Sequence, residues 1–155
     1  MTIPSAPSAP SAPSARQCQI LAGLARGHRH QQIATDLGIS YATVKKHAED
    51  LRTRYGVHSA AALIRLGYEH GWLNSLAPEE RPLTVLPDRQ QQVLQLVAAD
   101  CTQAQIARRL GVSVTTAAEH ERRLRRALGA RTLPHAVALG YQHHHLTTRR
   151  TAAAA

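Results

Sequence analysis

The chain has 155 residues, enough for one ordinary domain or two very small ones. Nineteen Lys and Arg against ten Asp and Glu give a formal charge of +9, and 17 of the 19 cations are Arg, so polyanions are the first partners to consider. Phe is absent, and the apolar residues are mainly Ala, Leu, Val and Ile, which points to an aliphatic, helical core. Two cysteines, Cys18 and Cys101, have no CxxC spacing and read as reduced thiols rather than a disulfide framework. No apolar run has the length of a membrane span, and the first residues have neither the basic start nor the apolar stretch of a signal peptide. The expectation is a cytoplasmic, nucleoid-associated protein with no membrane contact.

Residues 1–13 form a Ser/Ala/Pro leader, low in complexity and uncharged over PSAPSAPSAPS, which predicts an extended, mobile segment. An internal repeat follows. Shifted by 73 positions, residues 16–73 lie over 89–146 without a gap, and about 21 of the 58 pairs are identical. These include Leu21/Leu94, Ile33/Ile106, Leu37/Leu110, Gly38/Gly111, Ser40/Ser113, Thr43/Thr116, His47/His120, Leu51/Leu124, Gly67/Gly140 and Tyr68/Tyr141. Two copies of so long a unit are a duplicated domain, at 14–73 and 87–146, with a linker at 74–86 and a tail at 147–155. Thirteen linker residues reach at most about 45 Å, so the copies stay neighbours.

Each copy predicts four short helices. In the first, Ser14 and Gln17 are spaced as a capping box, and Ile20, Leu21 and Leu24 give an apolar face that Gly27 ends. A second helix covers 30–37 with Ile33, Ala34 and Leu37 on one side, and Gly38 makes the turn after it. Ser40 caps a third helix over 41–54, with Val44, His47, Ala48, Leu51 and Tyr55 inward and Gly56 at its end. A fourth covers 60–70. The second copy repeats the plan, and Thr102 with Gln105 adds a capping box where the first copy has Arg29. The second and third helices with their tight turn, QIATDLGISYATVKKHAEDL at 32–51 and QIARRLGVSVTTAAEHERRL at 105–124, form a helix-turn-helix pattern. In such a unit the second helix packs across the third, whose other face is left to enter a major groove.

These stretches, with YGV at 55–57 and EHGWL at 69–73, resemble the LuxR/GerE-type helix-turn-helix domains of bacterial transcription regulators. The resemblance covers about 120 of the 155 residues. It implies an all-α fold of two tandem four-helix domains without a wing, and a regulator that is not an enzyme, needs no cofactor and binds double-stranded DNA. It also implies that the third helix enters the major groove and that the fourth commonly mediates dimerisation, within the chain or in a homodimer. Carried over by position, base contacts fall on Lys45, Lys46 and Glu49, and phosphate contacts on Thr43 and the start of the helix. Ser40, Tyr41 and Arg52 complete the first face. In the second copy the equivalent face carries Ser113, Thr115, Thr116, Glu119, Arg122, Arg123 and Arg126. Here the lysines are replaced by Ala118 and Glu119. Glu119 would either accept from cytosine N4 or repel the DNA backbone, and the arginine cluster suits phosphates more than bases. Glu121 stands oddly at the inward place of Ala48.

Tyr68 and Tyr141, each after a Gly that lets backbones approach, predict that the two fourth helices meet. His47 and His120 read as structural. His28 and His30 read as a solvated basic patch. His143, His144 and His145 cannot all face one metal from a helix, so no metal site is expected. Two other functions fit the same pattern: a module docking on RNA polymerase or a sigma factor, and a sequence-neutral DNA-coating or maintenance protein.

Overall fold

The computed structural model describes residues 10–148, so residues 1–9 of the leader and 149–155 of the tail lie outside the described residues. Eight helices and no strand occur among the described residues: α1 (Ala15–Ala25), α2 (His30–Leu37), α3 (Tyr41–Tyr55), α4 (Ala60–Glu69), α5 (Asp88–Ala98), α6 (Gln103–Leu110), α7 (Val114–Leu128) and α8 (Leu133–Gln142). The fold is all-α, with two four-helix helix-turn-helix units in tandem.

The local signals act as their chemistry demands. Ser14 and Gln17 close a reciprocal capping box on α1, as Thr102 and Gln105 do on α6, whereas Arg29 offers α2 no side-chain cap. Gly38 and Gly111 both sit near φ +65° after the second helix of each unit, where a side chain would be strained. Ser40 and Ser113 cap α3 and α7 by accepting from the amides of Thr43 and Thr116, each at 3.1 Å.

Within each unit the third helix crosses the second through matched residues. Val44, Ala48 and Leu51 are buried on α3, as are Ala117, Glu121 and Leu124 on α7. Glu121 replaces Ala48 without leaving its carboxylate bare, because the Gln103 side-chain amide donates to it at 2.9 Å. His47 and Tyr55 are half-buried rather than fully inward. His47 Nδ1 lies 3.5 Å from the Gln17 side-chain nitrogen, where α1 meets α3.

The two units share one continuous apolar core, which runs from Ile20, Leu21 and Leu51 through Leu63 and Ile64 to Val137, Leu139, Leu94 and Leu124. α4 packs on α8, α1 on α8 and α5 on α4. Exchanging α1 with α5 and α4 with α8 maps this set of contacts onto itself, so the units are related by an approximate two-fold axis. Tyr68 and Tyr141 straddle it, with ring centroids 4.7 Å apart and planes 14° from parallel. Burial raises both phenol pKa values, that of Tyr141 to about 12, so both stay neutral. The glycines before them serve a different purpose from backbone approach. A Cβ on Gly67 would come within 2.7 Å of Leu73, and one on Gly140 within 2.9 Å of Leu94 and 3.0 Å of Leu146. Each glycine therefore admits leucine side chains of its own unit.

The linker runs as a strap along the α1–α8 side. Arg26, the C-cap of α1, donates to the Ala77 carbonyl, the Glu79 amide donates to Gln142 Oε1, and Arg81 donates to the carbonyls of Leu128 and Gly129. Gln142 also donates to the Tyr68 hydroxyl at 3.0 Å, which ties the strap to the stacked pair. In the leader, the Ser11 carbonyl accepts from the Tyr55 hydroxyl, so its last residues are tethered beside the end of α3.

Candidate nucleic-acid interface

A groove-reading helix needs a free outward face, a basic charge on it and a rigid seat beneath it. The seat of α3 is Val44, Ala48 and Leu51, all at 2% exposure or less. Ser40, Tyr41, Thr43, Lys45, Lys46 and Glu49 are all exposed, and Arg52 is half-exposed beside them. Lys45 and Lys46 are the only lysines in the chain, and both stand on this face. Tyr41 opens the helix at 49% exposure.

The start of α2 adds a residue to this surface. The His30 ring lies 6.1 Å from that of Tyr41, and burial together with the charges of Arg52 and Lys45 holds its pKa below the ordinary imidazole value. Its neighbour His28 lies 3.5 Å from the Asp36 carboxylate on the other side of α2.

On α7, Ser113, Thr115, Thr116, Arg122, Arg123 and Arg126 are exposed, while Ala118 and Glu119 are half-buried. Val114, the counterpart of Tyr41, is 50% exposed. The acid among these cations is not loose. Arg122 Nη1 lies 2.7 Å from Glu119 Oε2, and Arg123 Nε lies 3.5 Å from Glu119 Oε1. The carboxylate therefore meets guanidinium groups of its own helix. α3 packs only on α1, α2 and α4, and α7 only on α5, α6 and α8, so neither is covered by a helix of the other unit.

The family model of the bacterial regulatory proteins of the luxR family, GerE, matches residues 13–66 and 84–139. The chain belongs to the luxR family. The two matched segments fall on the two units, so this luxR-family chain carries the domain twice. The transcriptional regulatory protein MctR of Rhizobium johnstonii is 36% identical over 56 residues, which cover 36% of this chain and 26% of that protein. The chain thus matches about a quarter of the length of that relative. No solved structure matches the chain. No helix among the described residues is long and apolar enough to cross a membrane. Among the same residues no three His, Cys, Asp or Glu side chains are grouped to hold a metal ion. His143, His144 and His145 are not on a helix but in the turn after α8, with His144 at φ 62°.

Residues with no motif to announce them make the joint between the units. Asp100, at φ 68°, accepts from the amides of His58 and Ser59 at 2.8 and 2.9 Å and so holds, from the other unit, the turn that leads into α4. Burial pulls its pKa upward, but the His58 and Ser59 donors outweigh that and hold the carboxyl below its usual range. On the opposite side, His135 is 1% exposed and bridges the Arg131 amide and Glu79. The repeat held one clue: Asp100 aligns with Gly27, and both have positive φ.

Proposed function

We propose that this chain regulates transcription by binding duplex DNA as a single molecule, with α3 and α7 in successive major-groove segments of one site. The observation that supports this most is the division of surfaces. α4 and α8, the helices that the family resemblance assigns to pairing, are consumed by one another within the chain, while the outward faces of α3 and α7 stay open. The linker then does the work of dimerisation, since a short tether raises the second unit to a millimolar effective concentration. With approximate two-fold symmetry, the half-sites should lie about 10 base pairs apart and differ in sequence.

The test is stoichiometry and specificity together. Sedimentation should show a monomer that forms a one-chain complex with a duplex obtained by selection from a random library. Two chains per site would overturn the single-molecule reading. No binding to DNA at moderate salt would favour a docking module, and equal binding to all duplexes a sequence-neutral protein. Lys45→Ala should weaken the selected site by about 1–3 kcal/mol if Lys45 reads a base. A smaller loss, uniform across sequences, would assign it to phosphate.

A further inference from the structure

The two third helices carry opposite charge orders at the same two positions. On α3, Lys46 is followed three residues later by Glu49; on α7 their counterparts are Glu119 and Arg122. Only the second pair is joined. Glu119 Oε2 holds Arg122 Nη1 at 2.7 Å while Oε1 faces Arg123 at 3.5 Å. Among the described residues Lys46 and Glu49 form no ion pair. The Glu119–Arg122 contact gains little for stability, because the Arg122 side chain is 57% exposed and pairs so exposed are worth little in water. What the contact does is aim. A guanidinium has five N–H donors in a rigid fork; one bond from Nη1 to Glu119 biases its orientation and leaves the remaining donors to a partner. Those donors match O6 and N7 of guanine, whereas phosphate binding needs no such orientation. The carboxylate also offsets part of the positive charge of α7, which lowers attraction to DNA of any sequence.

We propose that Arg122 is the base-reading residue of the second unit, donating to O6 and N7 of a guanine, and that Glu119 is its positioning residue. At the corresponding base of the first half-site, Glu49 is an acceptor and calls for the N4 amine of cytosine or N6 of adenine. The operator is then asymmetric, with guanine under α7 where the α3 half-site has cytosine or adenine. This inference rests on the DNA-binding reading above and deepens it.

The test uses the full chain and sites selected from a random duplex library, followed by competition with duplexes changed at single base pairs. Wild type should prefer guanine at one position of the second half-site by roughly five- to 150-fold, the range of one bidentate contact. Arg122→Ala should bring that preference to within about two-fold and leave every other position unchanged. Arg122→Glu should move it toward cytosine. Glu119→Gln should relax the guanine preference while raising affinity for unrelated DNA, an outcome that loss of folding would not give. Both residues changed, Arg122 and Glu119, are surface positions on a seated helix, and circular dichroism checks the fold. If Arg122→Ala selects the same guanine, the assignment of Arg122 is wrong. If Glu119→Gln keeps the full preference, Glu119 does not position it. Wild type that binds duplexes with no base preference in the second half-site overturns this inference alone. Wild type that binds no duplex overturns the functional reading and this inference with it.

Discussion

The turn that leads into α4, whose N-cap is Ser59, is held by the Asp100 carboxylate of the second unit, whereas the turn that opens α8 is held by His135 of its own unit, buttressed by Glu79 from the linker. These places are related by the approximate two-fold axis, yet small and large residues are exchanged between them. Asp100 aligns with Gly27, and His135 aligns with Ala62. Gly27 leaves the room that His135 fills, since a Cβ there would lie 2.7 Å from His135 Nδ1. The lesson concerns what a duplication conserves. Residues that seat one helix on another inside a unit are matched pairs, such as Ile33/Ile106 and Leu51/Leu124. At the joint between the units the central pair Tyr68/Tyr141 still matches, and only its two ends have diverged in complementary fashion. A joint with two unlike ends has one way to close, and two unlike outward faces suit a site with two unlike halves.

If the matched core is truly shared, breaking either half should break both. Leu51 and Leu124 are fully buried, and truncating either to Ala should cost about 2–5 kcal/mol. Calorimetry should show one unfolding transition for wild type and for each variant, because a single apolar cluster joins the units. Two separated transitions would mean that the units fold independently and that the joint is weak.

The exchange of small and large residues is sharper to test. Gly27→Asp places a side chain against His135 and should destabilise by about 1–3 kcal/mol through overpacking. Combining it with His135→Ala rebuilds the pairing seen at the α4 end. The double variant should then be more stable than the sum of the single effects by about 0.5–3 kcal/mol, as expected for contacting residues. Strict additivity in chemical denaturation would show that the two ends are not interchangeable designs.

Most of the helices could be read from the chain because their signals are local. Gly38, Ser40 and the i, i+1, i+4 run of Ile33, Ala34 and Leu37 each need only neighbouring residues to act. The outward face of α3 followed by subtraction, since Val44, Ala48 and Leu51 fix which side is inward. The joint was legible only in its centre, where Tyr68 and Tyr141 recur. Its ends depend on partners far apart in sequence, such as Asp100 with His58 or His135 with Glu79, and no periodicity encodes such pairs. Glu121 looked misplaced for the same reason: Gln103, which satisfies it, lies on another helix. The ion pair of Arg122 with Glu119 was hidden because sequence lists charges and does not show which of them are already joined.

The smallest expected effect separates the two ends by pH. The Arg131 amide can only donate, so His135 Nδ1 is the acceptor, the ring proton sits on Nε2 and the imidazole is neutral. Burial lowers its pKa below 6.5 and outweighs the opposing pull of Glu79, with Arg81 and Arg131 adding to the lowering; Arg26 approaches the same carboxylate from α1 at 4.0 Å. Between the folded and unfolded pKa values the unfolded chain binds more protons, so stability rises with pH there. The His135 contribution is complete above about pH 6.5 and is lost as pH falls from that value through the folded pKa. Asp100 follows the same sign in a more acidic window. Its folded pKa lies below 3.8, so its contribution survives above that value and is lost only in stronger acid. Acidification from pH 7.5 to 5.5 should therefore loosen the α8 end while the α4 end stays closed. Hydrogen-exchange protection, corrected for the slower intrinsic exchange at lower pH, should fall at Arg131 before it does at His58 and Ser59. His135→Gln keeps an acceptor for the Arg131 amide and a donor for Glu79 but does not titrate, so it should flatten the pH dependence at the α8 end. A residual slope from His143, whose pKa is also lowered by burial, should remain in denaturation curves. Equal loss of protection at both ends, or an unchanged slope in His135→Gln, would mean that the joint opens as one piece and that its two chemistries are not felt separately.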